Sequence, residues 1–343
     1  MPHWSSTSFY AGAVAASLAF LAWYFYRKRC SVTEVDVVPP TQPFQVPGGV
    51  GLHQRAVLQH VVPPAAINIT WADVAGLDDL VALIRRQVIY PMRSTLTKRD
   101  PLTLPPKGVL LHGPPGCGKT MIAKAIAKDI NAVFINFDVS SIKNKFVGET
   151  EKMTAALFST ANRLQPAVIF VDEVDAFLGT RREVDFGTEV TMKAQFLTLW
   201  DGLTTDLTAR VLVLAATNRR EAIDPAILRR LPVQFEFPFP DRNQRRKILS
   251  VTLRQSQLGP DVDLDILAEK CEGFSGSDLY ELCRYAAITR LVRQAEGCSC
   301  SNSYCSAREN DSLGPLTMED FLDAFNNARD MGEARNPPSN LYM

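Results

Sequence analysis

Within GPPGCGKT, Gly113, Gly118, Lys119 and Thr120 satisfy the spacing G-x-x-x-x-G-K-[ST]. The chemistry of that spacing is phosphate binding. Glycines let backbone N–H groups close on phosphate oxygens, a lysine reaches the terminal phosphates, and a threonine hydroxyl can ligate Mg²⁺. The run Gly113, Pro114, Pro115, Gly116, Cys117, Gly118, Lys119, Thr120 and Met121 is therefore the candidate nucleotide loop. Further along, Asp172 and Glu173 form an acidic pair. Asp172 is suited to hold Mg²⁺ through water, and Glu173 to orient and polarise a water that attacks a γ-phosphate. Such a pair separates a triphosphatase from a scaffold that only binds nucleotide. Asn218 adds an uncharged hydrogen-bonding group of the kind that senses a γ-phosphate or positions water. Arg229 and Arg230 stand together, an arrangement that ordinarily marks a solvated helix end.

These side chains need a frame, and their flanks supply one. KGVLLH is a short apolar strand, and TMIAKAIAKDI carries apolar residues at helical spacing, so the glycine loop opens a helix whose N-terminus adds positive potential. The run AVIFV ahead of Asp172 is apolar on both faces, as a buried parallel strand requires. Ligands in such sheets lie beyond the carboxyl ends of the strands, which is where Asp172, Glu173 and, after RVLVLAAT, Asn218 fall. In IDPAILRRLPVQFEF the arginine pair immediately precedes another strand. The predicted fold is α/β, a parallel sheet flanked by helices.

With 343 residues and 46% hydrophobic composition, the chain suffices for two or three structural units. Lys plus Arg number 37 and Asp plus Glu 37, which leaves no global field to draw in nucleic acid. Seven scattered cysteines fit a reducing compartment better than a disulfide scaffold. Three of them lie in CSCSNSYC without a nearby histidine, one ligand short of a tetrahedral metal site.

From Phe9 to Tyr26, FYAGAVAASLAFLAWYFY is apolar apart from Ser17 and the aromatic hydroxyls. As a helix it reaches roughly 27 Å at about 1.5 Å per residue, enough to span a bilayer. Tyr10 at one end and Trp23, Tyr24 and Tyr26 at the other suit the two interfaces, and Arg27, Lys28 and Arg29 belong on the cytosolic side. No Lys or Arg precedes the run, so it reads as an anchor rather than a cleaved signal peptide. The prolines and glycines that follow predict a linker with one short helix near HQRAVLQHV.

Taken in order, ITWADVAGL, GPPGCGKT, VIFVDEVDAF, AATNRR, AILRR and GFSGSDL resemble the AAA family of P-loop ATPases, from about residue 68 to 330. The resemblance implies a P-loop AAA+ ATPase fold: a large α/β domain with a small C-terminal helical domain, binding ATP with Mg²⁺ between neighbouring subunits of a homo-hexamer. It implies that Asn218 is the first sensor and that Arg229 and Arg230 are fingers reaching a neighbour's γ-phosphate. It also implies that Asp73, Val74, Ala75 and Gly76, together with Gly276 and Ser277, surround the adenine.

Within the family, GPPGCGKT, AFL after the acidic pair and MKAQFLTLWDGL look most like the membrane-anchored extractases of the mitochondrial outer membrane and peroxisome, which remove mislocalised tail-anchored proteins. Their arrangement is similar too: one transmembrane helix in contact with membrane lipid, a short linker and a single ATPase module in the cytosol. In that light NKFVGET is the first pore loop, with Lys145, Phe146, Val147 and Gly148 gripping an extended substrate through apolar contact. Val147 departs from the pattern, for the extractases carry an aromatic there. The alternative is a related remodelling ATPase acting on microtubules or membrane-scission filaments, but such proteins carry a helical recruitment domain upstream. A membrane-bound AAA protease would need an H-E-x-x-H helix, which the histidines at 3, 53, 60 and 112 do not form. A non-enzymatic tether is disfavoured by the intact Lys119, Asp172, Glu173 and Asn218 set. The expected layout is a short segment 1–8, a transmembrane helix 9–26, a linker 27–67, a large ATPase domain 68–240, a small helical domain 241–330 and a tail 331–343.

Overall fold

The structure, a computed structural model, describes residues 51–94, 101–137, 149–178, 187–205, 209–296 and 314–330. The expected membrane helix 9–26, the pore-loop residues 145–148, the cysteine run from 298 and the tail 331–343 lie outside the described residues.

Six strands form one sheet in the order β1-β3-β4-β5-β2-β6, comprising β1 (Val61–Val62), β2 (Gly108–His112), β3 (Val133–Phe137), β4 (Ala167–Val171), β5 (Val211–Thr217) and β6 (Val233–Glu236). All pairings are parallel except β1 with β3. Every residue of β4 and β5 is buried, as their unbroken apolar runs require of strands covered on both faces. Alternation along the strands divides the interior in two. Leu110, Ile169 and Val213 face one core, while Val109, Leu111, Val168, Phe170 and Leu212 face the other.

The first core is covered by α5 (Glu149–Arg163) and α7 (Gly187–Thr205), which share an aromatic cluster. Phe196 stands edge-on to Phe158 at 5.1 Å and to Trp200 at 5.8 Å. The second core is covered by α4 (Lys119–Asp129), whose buried Ile122, Ala123 and Ile126 follow the i, i+1, i+4 pattern of one helical face. Along its edge, α2 (Asp78–Ile84) passes through a π turn (Arg85–Ile89) into α3 (Tyr90–Arg93). Pro91 has no N–H to continue the ordinary ladder there. The short helix α6 (Val174–Leu178) follows β4, and α8 (Pro225–Leu228) lies between β5 and β6.

A third core belongs to the helical domain formed by α9 (Arg242–Thr252), α10 (Leu264–Lys270), α11 (Gly276–Glu296) and α12 (Met318–Asp330). Asp241 and Gln244 close a capping box at the start of α9. Buried Arg245 donates to Pro240 O at 2.9 Å and Ala268 O at 2.8 Å, tying the domain to the segment that leaves the sheet. Cys271 and Cys283 lie in this core, where burial pushes both thiols up to about 12 and leaves them unreactive.

On the N-terminal side, the short helix expected near HQRAVLQHV is present as α1 (Leu52–Leu58), whereas strand β1 after it departs from the linker reading. Val57 of α1 is buried in the first core, and Gln54 reaches Ser159 on α5. Strand β1 completes the edge of β3 with Val61 opposite Ile135, and Asn136 N donates to His60 O at 3.1 Å. Two strand residues ahead of Pro63 and Pro64 are too few to display a period, so only pairing across the sheet reveals them. Among the described residues no helix is long and apolar enough to cross a membrane.

Candidate functional site

The turn from β2 into α4 depends on glycine for space as well as conformation. Gly113 adopts φ 142°, and a Cβ there would lie 2.1 Å from Phe237 O. Gly116 adopts φ 77°, and a Cβ would lie 2.4 Å from Ser275 Oγ of the helical domain. Lys119 is buried at the base of the loop, its Nζ donating to Gly113 O at 2.8 Å and Pro114 O at 2.7 Å. Burial lowers its pKa, opposed by Cys117 and Asp172. The Cys117 thiol is itself raised, chiefly by burial, so it remains protonated rather than nucleophilic.

Across the loop, Thr120 Oγ1 lies 3.2 Å from Asp172 Oδ2. A hydroxyl and a carboxylate oxygen side by side, both exposed, are the hard donors that Mg²⁺ takes while keeping several waters, so the residues fit that ion. Asp172 Oδ1 also accepts from Glu173 N at 3.0 Å. Glu173 occupies the left-handed region at φ 48°, a conformation that costs a non-glycine residue of order 1–3 kcal/mol. The backbone therefore turns sharply where β4 ends, leaving the Glu173 side chain exposed beside Asp172.

At the end of β5, Thr217 is buried and Asn218 half-buried. Thr217 ends β5 and Asn218 follows it on the side where β2 delivers the loop, since β2 and β5 are in register from Gly108 opposite Val213 to His112 opposite Thr217. The paired arginines part company. Arg230 donates from Nε and Nη2 to Asp201 Oδ1 and Oδ2, each at 2.7 Å, and from Nη1 to Ala226 O at 2.8 Å. The Arg230 bonds hold the Asp201 carboxyl below its ordinary range, and those of Asp201 raise Arg230. Arg229 is exposed and has no ion pair with a described residue.

The segment 73–76 and the helical domain approach the loop from the other side. Asp73 Oδ2 accepts from Thr70 N and Thr70 Oγ1, both at 2.8 Å, and its Oδ1 accepts from Arg254 at 2.9 Å. Gly76, at φ 77°, lies so close to α9 that a Cβ would come within 2.8 Å of Gln244 Cβ. Lys247 pairs with Asp78 at 2.6 Å. Ser277 N donates to Gly116 O at 3.1 Å, which brings Gly276 and Ser277 onto the loop. Gly113 to Met121, Asp172, Glu173 and Asn218 thus share one edge of the sheet, bordered by Ser277. Sequence reasoning missed Asp175, Asp201, Thr217 and Arg254. Asp175 and Thr217 lie beside assigned residues; nothing local marks Asp201 or Arg254.

Fold and site together define a P-loop ATP hydrolase whose helical lid leans on the nucleotide loop. The chain matches the family model "ATPase family associated with various cellular activities (AAA)" over residues 109–239 and the AAA+ lid domain over 261–302. It belongs to the AAA family. A protein of Xenopus tropicalis named outer mitochondrial transmembrane helix translocase is 43% identical over 285 residues, covering 83% of this chain and 78% of its own length. The Homo sapiens protein of the same name is 43% identical over 270 residues, covering 78% of this chain and 73% of its own. A mitochondrial sorting homolog of Caenorhabditis elegans is 39% identical over 272 residues, covering 79% and 77%. Among solved structures, the FIGL-1 AAA domain matches with TM-score 0.69 and 31% identity over 82% of this chain and 90% of its own. A katanin structure matches with TM-score 0.68 and 28% identity over 87% and 96%.

Proposed function

We propose that this protein is a membrane-anchored, ATP-driven translocase of the mitochondrial outer membrane and/or the peroxisomal membrane that draws mislocalised tail-anchored proteins out of the bilayer through the pore of a homo-hexamer. The observation that carries this reading is the 43% identity to transmembrane helix translocases across 83% of the chain, with the phosphate-site residues intact. In this reading Lys119 and the loop amides hold the β- and γ-phosphates, and Asp73 to Gly76 with Gly276 and Ser277 border the adenine. Thr120 and Asp172 would hold Mg²⁺, which when bound neutralises charge on the β- and γ-oxygens. Glu173 orients and polarises the attacking water, and Asn218 fixes its position against the γ-phosphate. The fingers Arg229 and Arg230 act in the neighbour's site, so hydrolysis depends on assembly.

Work is delivered at the pore loop Lys145, Phe146, Val147 and Gly148. A substrate helix resists extraction because its apolar surface, worth about 25 cal/mol per Å², must meet water. Repeated hydrolysis supplies that free energy. The second reading, a remodelling ATPase acting on microtubules or membrane-scission filaments, has the FIGL-1 and katanin folds in its favour, at lower identity than the translocases.

Full-length protein reconstituted in liposomes with a tail-anchored substrate tests the choice. ATP-dependent release of the substrate, lost in Glu173→Gln and in Phe146→Ala, is expected. A Glu173→Gln trap that retains tubulin rather than tail-anchored proteins would reject the translocase.

A further inference from the structure

Three strand ends meet at Thr217. Its carbonyl accepts from Gly113 N at 3.3 Å, at the first glycine of the nucleotide loop. Its hydroxyl donates to Asp175 Oδ1 at 2.6 Å and accepts from Arg219 N at 2.9 Å. The residue is 2% exposed, so water does not substitute for either partner. The bond to Arg219 N spans Asn218 and shapes the turn that carries it. Asp175 belongs to the first turn of α6, where Ala176 N donates to Glu173 O at 2.9 Å. One buried hydroxyl therefore joins the turn bearing Asn218 to the turn bearing Glu173.

Glu173 gives this junction something to resist. At φ 48° its backbone lies in a sparsely populated region, and such a conformation persists only where the surrounding structure over-determines it. A hydrogen bond from a hydroxyl to a carboxylate is short and strong, and the one between Thr217 and Asp175 pins α6 immediately after the strained residue. We infer that Thr217, acting through Asp175, is a positioning residue that sets the separation of Asn218 and Glu173 and hence the place of the attacking water. The inference rests on the roles proposed above for those two residues.

Steady-state ATPase kinetics of the full-length protein test it. Thr217→Val removes the hydroxyl at nearly constant volume, and Asp175→Ala removes the other end of the same bond. Each is expected to lower kcat roughly ten- to a hundredfold, the scale of an ångström of misplacement, with KM for ATP changed by less than about threefold. The double variant is expected to be no slower than the slower single, because both break one connection. Thr217→Ser keeps the hydroxyl and is expected to restore kcat to within about threefold of the wild type. The inference is overturned if Thr217→Val keeps kcat within about twofold, or if its kcat falls only in step with thermal stability and Thr217→Ser is equally impaired. Should Thr217→Val fail to fold, Asp175→Ala and Thr217→Ser decide by the same criteria. Glu173→Gln is assayed alongside. Normal turnover there would reject the proposed site roles, whereas a dead Glu173→Gln beside a normal Thr217→Val would reject this inference alone.

Discussion

Arg230 grips Asp201 with two parallel bonds of 2.7 Å, while the adjacent Arg229 is exposed and has no ion pair with a described residue. Two arginines of one dipeptide thus have different physical situations. Asp201 sits near the end of α7 and Arg230 just after α8, so the pair locks these two helices together. Both side chains are partly solvated, which keeps the stability contribution to about 0.5–1 kcal/mol. Arg230→Ala and Asp201→Ala should each lower stability by about that amount, and a double-mutant cycle in urea should recover most of it as coupling. Arg229→Ala should leave the urea midpoint unchanged while hydrolysis falls by about 10³ or more, if its partner is a neighbour's γ-phosphate. Equal loss of stability in all three variants would remove the distinction.

Backbone strain at Glu173 makes a second prediction. Glu173→Gln should bind ATP normally and turn over orders of magnitude more slowly. Glu173→Gly should be equally inactive yet no less stable than the wild type, because relief of the left-handed conformation offsets glycine's larger unfolded-state entropy, about 0.5–1 kcal/mol. A fall in melting temperature of several degrees in the glycine variant would show that the turn is not strained.

His112, the last residue of β2, should make stability depend on pH. Burial lowers its pKa below the ordinary 6.5, with Arg220 and Lys119 acting in the same direction and Glu236 and Glu221 opposing. Between its lowered value and 6.5 the unfolded chain binds a proton that the folded chain refuses. Stability therefore rises with pH through that window and is fully present above it. Melting temperatures should fall as the pH drops below about 6.5, more steeply for the wild type than for His112→Phe. Superimposed profiles would assign the dependence elsewhere.

The lid is tied to the segment 73–78 by Asp73 with Arg254 and by Asp78 with Lys247. The Asp73 carboxyl is lowered, first by its bonds to Thr70 and then by Arg254, so its contribution is present above the ordinary 3.8 and lost as the pH falls through its folded value. These pairs are solvated enough that Arg254→Ala should cost less than about 1 kcal/mol of stability. Its larger effect should be a severalfold loss of ATP affinity, strongest at low ionic strength, measured by fluorescent-nucleotide titration. Unchanged affinity would mean that the pair does not hold the lid over the nucleotide.

A chain truncated to begin at residue 68 should be less stable than one beginning at residue 51. It loses Val57 from the first core and the partner strand of β3, leaving Val133 and Ile135 at a bare sheet edge. Thermal denaturation and light scattering should report a lower midpoint and earlier aggregation. Indistinguishable curves would return residues 51–67 to the status of a linker.

Most of the chemistry was legible from residue spacing. The phosphate loop, the acidic pair and Asn218 each sit next to an apolar run that identifies a buried strand, and ligand sites in parallel sheets lie at strand ends. Those are local patterns, and local patterns determine which side chains the edge of the sheet presents. The family motifs added the lid, matched by the AAA+ lid model over residues 261–302.

Tertiary structure alone decided which of these groups hold one another. Asp201 and Arg230 are 29 residues apart, Asp175 and Thr217 42, and Asp73 and Arg254 181. Hydrophobic periodicity reports the face an element buries, but a polar side chain's partner depends on how separate elements pack, and no period crosses those gaps. The same holds for β1, where two valines acquire strand character only from the edge of β3. By itself the sequence determined the reactive groups and the strands and helix that carry most of them; packing determined that Arg230 is held by Asp201, that Thr217 joins Asn218 to Glu173, and that the lid rests on Gly116, because each requires elements distant in the chain to meet at hydrogen-bond range.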